Sequence, residues 1–413
     1  MDAVSPRVSR RITLALLVVQ SLGSAGSIGV ATVAAIVGAE LSGRASLAGA
    51  PGATYQVGVA LAALVWGTLS DRLGRRNALS LGLTTGVIGA LGAVLGVVAG
   101  SFGLLLLGLV VMGSGTASVQ LGRFAAAEVN PVERRARAVA TVVLGGTFGS
   151  VVGPTLVAPT GAAAAAFGWD ALAGPYLTVM VVYLLSIVVL QVALRPDPRE
   201  IGAALGRLTP RWDDEHARSL REILRDPMVR TAITSVVLAH AVMVGLMQMT
   251  SLHMHDHAHA LGSIALVFSS HTFGMYAFSV VTGWLADHWG RLPVIVTGAV
   301  IMVASCLAAP LSPQVLPLAV ALFGLGIGWN FCYVAGSALL SDALSPAEKA
   351  RTQGLNDLFV GLAGASAVFF SGILFAGAGY TVMGVAGAVL TLPIIPMVVW
   401  LRRHRADPVA QGA

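Results

Sequence analysis

Apolar residues in this chain run in blocks of roughly 20, the length that crosses the hydrocarbon of a bilayer as a helix. The predicted blocks are 12–37, 52–70, 78–98, 102–126, 138–160, 173–194, 229–252, 261–283, 293–311, 315–341, 352–376 and 379–401. Short polar segments separate them. The longest, Arg195 to Arg230, carries Pro196, Pro198, Pro210 and Pro227 and the stretch WDDEHARSLREIL, which predicts an interfacial helix between two halves. The expected fold is an all-α membrane protein with twelve transmembrane helices in two six-helix repeats. The expected domains are an N-terminal bundle over 1–194, a cytoplasmic linker over 195–228, and a C-terminal bundle with its tail over 229–413. Arg10 and Arg11 resemble the start of a signal peptide. The block behind them is too long for one and no small-residue cleavage site follows, so it is read as a retained helix.

The polar loops repeat as well. GTLSDRLGRR from Gly67 to Arg76 returns as GWLADHWGR from Gly283 to Arg291, 216 residues later. Asn130 to Arg137 (NPVERRAR) matches Ser345 to Arg351 (SPAEKAR) at an offset of 215, and Gly146 and Gly149 match Gly361 and Gly364 at that same offset. Two halves of one design predict a transporter built from parallel repeats. Asp71 and Asp287 are suited to capping helix ends and pairing with arginine, and Gly74 and Gly290 to tight turns. Such pairs would hold one closed state and break as the lobes rock. A basic loop that only sets topology is the other reading.

Composition agrees with the membrane assignment. Hydrophobic residues make up 56% and charged residues 11%, where a soluble domain carries about 25% charge. Of the 25 Lys and Arg, all but Arg44 fall on one side when both termini are cytoplasmic, so positive-inside bias fixes the expected orientation in a cell (inner) membrane. The net charge of +6 then reflects topology and not nucleic-acid binding. Cys306 and Cys332 lie in apolar blocks and imply no disulfide framework. No ATP-binding loop or redox motif is present, so an enzyme is not expected.

These loops resemble the major facilitator superfamily, whose motif G-x-L-x-D-R-x-G-R-R between spans two and three is complete here in Gly67, Asp71, Arg72, Gly74, Arg75 and Arg76. The weaker partner motif holds Asp287, Gly290 and Arg291. The resemblance covers the whole chain and implies two six-helix bundles with a cavity near the bilayer midplane. It leaves the cargo open. Span four, Leu104 to Gly122, lacks the arginine that drug–proton antiporters of that superfamily usually carry there, and span one lacks their acid. Asp357, at the start of span eleven, is the clearest intramembrane acid. It reads as a coupling residue by default, or as a cap near the interface.

The second half concentrates soft ligands. Six of the nine histidines and five of the twelve methionines lie between His240 and Met275. His240, Met243 and Met247 share one stripe of span seven, and His271 and Met275 share a face of span eight. Counted from the predicted outer ends, Met243 and His271 lie at similar depth, about 14 Å in. Thioether with imidazole suits Cu(I) better than Mg²⁺ or Ca²⁺. Methionine also fills gaps in apolar cores, but imidazole within a membrane needs a cavity or a partner. At the repeat offset His271 and Met275 align with Tyr55 and Val59, so the cluster belongs to one half only.

M-x-x-x-M at Met243 and Met247 with H-x-x-x-M at His271 and Met275 resembles the CcoA-type copper importers, in which both motifs are associated with copper uptake. The resemblance implies copper as transported substrate, with no permanently bound cofactor. His253, His255, His257 and His259 lie between the two spans and read as an outer metal-capture loop or as a merely solvated one. Two alternatives stay open. One is a proton-coupled carrier of a drug or riboflavin-like molecule contacted by Trp329, Asn330, Gln248 and Tyr55. The other is a membrane metal sensor that transports nothing. The expected partners are the lipid bilayer and a small solute or metal ion, with no nucleic acid, and the chain is expected to work as a monomer.

Overall fold

The computed structural model describes residues 6–206 and 218–406. Within these, the side chains of Asp71, 132–133, 135–136, 346–347, 349–351 and 404–406 are not described. Every element among the described residues is helical.

The first half runs α1 (Pro6–Ser42), α2 (Ala50–Leu73), α3 (Arg75–Val98), α4 (Phe102–Glu128), α5 (Val132–Thr155), α6 (Val157–Ala166), α7 (Gly174–Ala193) and α8 (Pro198–Gly206). The second half runs α9 (Leu220–Ile223), α10 (Pro227–Asp256), α11 (Leu261–Tyr276), α12 (Ser279–His288), α13 (Arg291–Ala308), α14 (Val315–Asp342), α15 (Pro346–Thr391) and α16 (Ile394–Ala406). Among the described residues, eleven stretches are long and apolar enough to cross a membrane, and the last, Thr352–Arg403, holds 52 residues. Gly379, at φ +76°, breaks that stretch into the predicted eleventh and twelfth spans.

Local chemistry sets the ends. Gly74 (φ +82°) and Gly290 (φ +93°) take the left-handed conformation that glycine alone adopts without strain, and each divides one helix from the next. At the start of α10, the Asp226 carboxylate accepts from the Met228 amide at 2.8 Å and Pro227 occupies the first turn, where its missing N–H costs nothing. Ser345 and Glu348 close a capping box on α15.

Several predicted blocks differ in detail. The fifth divides at Leu156 into α5 and α6, just behind Pro154, which cannot donate to the helical ladder. The eighth divides into α11 and α12. The seventh runs on to Asp256, one turn past its predicted end, so His253 and His255 are helical and not part of a loop. Of the predicted linker helix, residues 212–217 lie outside the described residues, and the rest forms only the single turn α9.

Two compact units result, Met1–Pro210 with Ala258–Ser269, and Arg211–His257 with Ser270–Ala413. In the first, α1 packs on α5 and α7, and α3 on α4. In the second, α10 packs on α15, and α13 on α14, the same pairing of spans. Large apolar side chains such as Leu64, Leu107, Val192 and Val280 stay exposed, where lipid would cover them.

Candidate functional site

The repeated loops become two versions of one ionic clamp. In the first unit the Arg75 guanidinium reaches the end of α4, where Nε donates to Glu128 Oε2 at 2.8 Å and Nη1 bonds Ser70 Oγ. Asp197 caps the start of α3 by accepting from the Arg75 and Arg76 amides, each at 3.0 Å. A Cβ on Gly74 would fall 2.7 Å from Asp197 Oδ2, so the glycine serves the cap as well as the turn. Arg72 is exposed and its carbonyl accepts from Arg199 Nη1 at 3.3 Å. Gly67 touches nothing that a Cβ would displace. The Asp71 side chain, the expected gating acid, lies outside the described residues. In the second unit Arg291 pairs with Asp287 one turn back and with Asp342 at the end of α14, at 3.2 Å. Glu128 and Asp342 went unread in the sequence, although both close a span four–type helix at nearly the repeat offset.

A further clasp holds the linker to the second unit. Arg218 donates from its backbone amide and its guanidinium to Glu348, at 2.9 Å for each bond, and also reaches the Ala343 carbonyl and Asp226. Hydrogen bonding from Arg218 outweighs burial and holds the Glu348 carboxyl well below the usual carboxylate range. The same bonds push the Arg218 guanidinium up.

The soft side chains expected from the sequence are buried in the second unit. His271 is 2% exposed, and Met243, Met247 and Met275 are buried. His271 Nδ1 lies 2.8 Å from the Leu322 carbonyl of α14. Its Nε2 is buried with no hydrogen-bond partner among the described residues. Gly326 makes this crossing possible: a Cβ there would sit 2.4 Å from the His271 carbonyl oxygen and 2.9 Å from the Met275 amide nitrogen. His240, on the stripe of Met243 and Met247, presses its ring against Gly364 of α15, and its Nδ1 has no partner among the described residues. Counted along the observed helices, Met247 stands nine residues from the end of α10 and His271 ten from the start of α11, so Met247 and not Met243 matches His271 in depth from its helix end.

An aromatic group adjoins His240. Trp329 stacks on Tyr333 with centroids 4.7 Å apart and lies 6.1 Å from Tyr276 and 6.2 Å from His240. Trp329 Nε1 and Gln248 Nε2 are also buried without partners among the described residues. Asn330, an expected organic contact, has another task. Its Nδ2 donates to the Met275 carbonyl at 2.6 Å and to Ser279 Oγ at 2.9 Å, and its Oδ1 accepts from Thr282. It ties the break between α11 and α12 to α14. Tyr55 is likewise engaged, in a hydroxyl chain with Thr116 and Tyr183 of its own unit.

Asp357 is exposed about 16 Å along α15 from Pro346, beside a buried Asn356. Among the four loop histidines, His253 and His257 face each other with ring centroids 4.5 Å apart, and His255 is exposed elsewhere on the turn. No group of three or more His, Cys, Asp or Glu able to hold a metal occurs among the described residues, so any metal site here depends on thioethers or on fewer ligands.

The sequence pattern described as Major Facilitator Superfamily matches residues 14–260 and 233–413. An uncharacterized MFS-type transporter, YdeG of Bacillus subtilis (strain 168), is 35% identical over 396 residues, covering 95% of this chain and 92% of that protein. The riboflavin transporter RfnT of Brucella anthropi is 31% identical over 396 residues, covering 95% and 96%. Among solved structures, a D-xylose-proton symporter superposes with TM-score 0.69 at 17% identity over 95% of this chain and 99% of its own.

Proposed function

The chain belongs to the major facilitator superfamily and is a multi-pass membrane transporter, and we propose that its cargo is copper, bound by His271, Met275, Met243 and Met247 and carried inward. His271 carries this reading. A carbonyl oxygen only accepts, so the bond to Leu322 places the proton on Nδ1 and leaves the lone pair of Nε2 buried with no donor among the described residues. Leaving such an acceptor unsatisfied costs about 1–3 kcal/mol, and a soft cation removes that cost. Anchoring one imidazole nitrogen on a carbonyl is how metal-binding histidines are oriented. Met275, one turn away, adds a polarizable thioether suited to Cu(I). Uptake follows alternating access, with the Arg75–Glu128 and Arg291–Asp342 clamps opening and closing and with proton coupling through His240, His271 or Asp357. The arginine bias supports an orientation with both termini on the cytoplasmic side of a bacterial inner membrane. Family membership sets aside the sensor alternative.

A second reading rests on the Trp329 group. Stacked rings beside the Trp329 and His240 nitrogens, unpartnered among the described residues, suit a planar organic solute that forms hydrogen bonds, and one relative is a riboflavin transporter. Proteoliposomes separate the two. Saturable uptake of radioactive copper that His271→Ala abolishes, with no riboflavin flux, supports the copper reading. Riboflavin flux without copper flux would transfer the cargo to the aromatic group.

A further inference from the structure

The histidines at the far end of α10 from the linker were expected to act together as a loop, yet α10 stays helical through Asp256. On a helix, residues two apart point about 200° away from each other, whereas residues four apart share a face. His255 is therefore turned away from His253, and His257 is brought over it. The rings of His253 and His257 lie with centroids 4.5 Å apart at 60°. His257 Nδ1 lies 2.8 Å from the His253 carbonyl oxygen, so it carries the proton and Nε2 is left as the ligand nitrogen. His253 is fixed differently. Its ring stacks on Tyr380 at 4.3 Å and 8°, and the Tyr380 hydroxyl is tied to Thr250 Oγ1 at 2.7 Å. Ala258 then turns the chain sharply away, at φ +58°.

We infer that His253 and His257 form a two-imidazole site for a divalent, nitrogen-preferring cation such as Cu²⁺, with Tyr380 as the wall that orients His253. Two histidines four apart on one helical face are a recurrent metal-binding arrangement, and imidazole suits Cu, Zn and Ni over Mg²⁺ and Ca²⁺. Both rings are oriented before the ion arrives, one by a backbone carbonyl and one by a stacked phenol. His255 and His259 take no part. This goes beyond the copper reading: it is a separate site for a divalent ion, requires no transfer to the interior Cu(I) ligands, and is tested by binding alone, so it stands or falls separately from transport.

The test uses the full-length protein in nanodiscs, titrated with Cu²⁺ and followed by electron paramagnetic resonance, in a His271→Ala background so that the interior cluster does not contribute. One Cu²⁺ per chain with nitrogen hyperfine structure from two imidazoles is expected. His253→Ala and His257→Ala should each weaken binding by about tenfold or more, Tyr380→Leu by a few-fold, and the double variant His255→Ala/His259→Ala should leave it unchanged. Circular dichroism and retention of monodispersity keep misfolded variants out of the comparison. Binding that survives both single variants, or that disappears in the His255/His259 double variant, overturns the inference.

Discussion

Tyr55 and His271 stand at equivalent places in the two repeats, and the protein completes them differently. In the first unit the Tyr55 hydroxyl is closed into a chain with Thr116 and Tyr183, and Ser114, equivalent in place to Trp329, accepts from Trp66 at 2.6 Å and donates to the Gly82 carbonyl at 3.0 Å. Among the described residues, its buried neutral side-chain atoms without partners are the hydroxyls of Ser118 and Tyr176. In the second unit the corresponding atoms are the imidazole of His271 and the indole of Trp329, and both keep a buried nitrogen without a partner, as do His240 and Gln248. Both repeats leave buried polar atoms unpartnered among the described residues, but only in the second do these include imidazole and indole nitrogens. On the proposed reading, that asymmetry favours a cargo site in the second unit, while ionic clamps occur in both.

The largest effect expected from this contrast falls on transport. His271→Ala should lower maximal copper uptake by about tenfold or more, because losing one ligand of a desolvated ion costs at least about 1.4 kcal/mol. Tyr55→Phe should change uptake by less than about twofold, since its partners Thr116 and Tyr183 can still bond each other. Uptake measured side by side in proteoliposomes breaks the contrast if both variants behave alike.

The two helix crossings sharpen it. A Cβ on Gly326 would meet the His271 carbonyl at 2.4 Å, and one on Gly113 would meet the Val59 amide nitrogen at 2.5 Å. Alanine at either position should destabilise by about 1–3 kcal/mol, seen as lower thermal stability in detergent. Only Gly326→Ala should also weaken copper binding, because only that crossing positions ligands. Equal loss of copper affinity in both would mean that the effect is simply unfolding.

The clamps should differ modestly. Arg75 and Glu128 are 19% and 28% exposed, against 26% and 50% for Arg291 and Asp342. Better shielded charges interact more strongly, so Glu128→Gln should slow transport more than Asp342→Asn, with equilibrium copper binding retained in both.

The smallest effect concerns pH. Glu348 has its folded pKa depressed by Arg218, so the stability it contributes is fully present above about pH 4.3, its ordinary value, and is lost as pH falls through the folded value. Hydrogen exchange at 218–226 should therefore be protected at pH 5 and above. Glu348→Gln should raise exchange there and remove its acid dependence.

The spans, the repeat and the identity of the clamp loops were legible because apolar length and a recurring charged motif are local signals. The partners of those loops were not. Glu128, Asp197 and Asp342 reach Arg75, Arg76 and Arg291 across long stretches of sequence, and only packing reveals which acid ends beside which cap. The same holds in the interior. Spacing put His271 and Met275 on one face, but that Leu322 fixes the His271 tautomer, and that Gly326 admits the crossing, depends on how α11 meets α14. Alternation in His253 to His259 suggested four equivalent positions, but one further helical turn brings the rings of His253 and His257 together.

The central claim, that the second unit's unsatisfied interior holds copper, is tested most directly by X-ray absorption at the copper edge on Cu(I)-loaded protein in nanodiscs. The account predicts one imidazole nitrogen and two or three thioether sulfurs around the ion, with the imidazole contribution lost in His271→Ala and the whole spectrum unchanged in Tyr55→Phe. A spectrum without sulfur, or one that His271→Ala leaves unaltered, would contradict it.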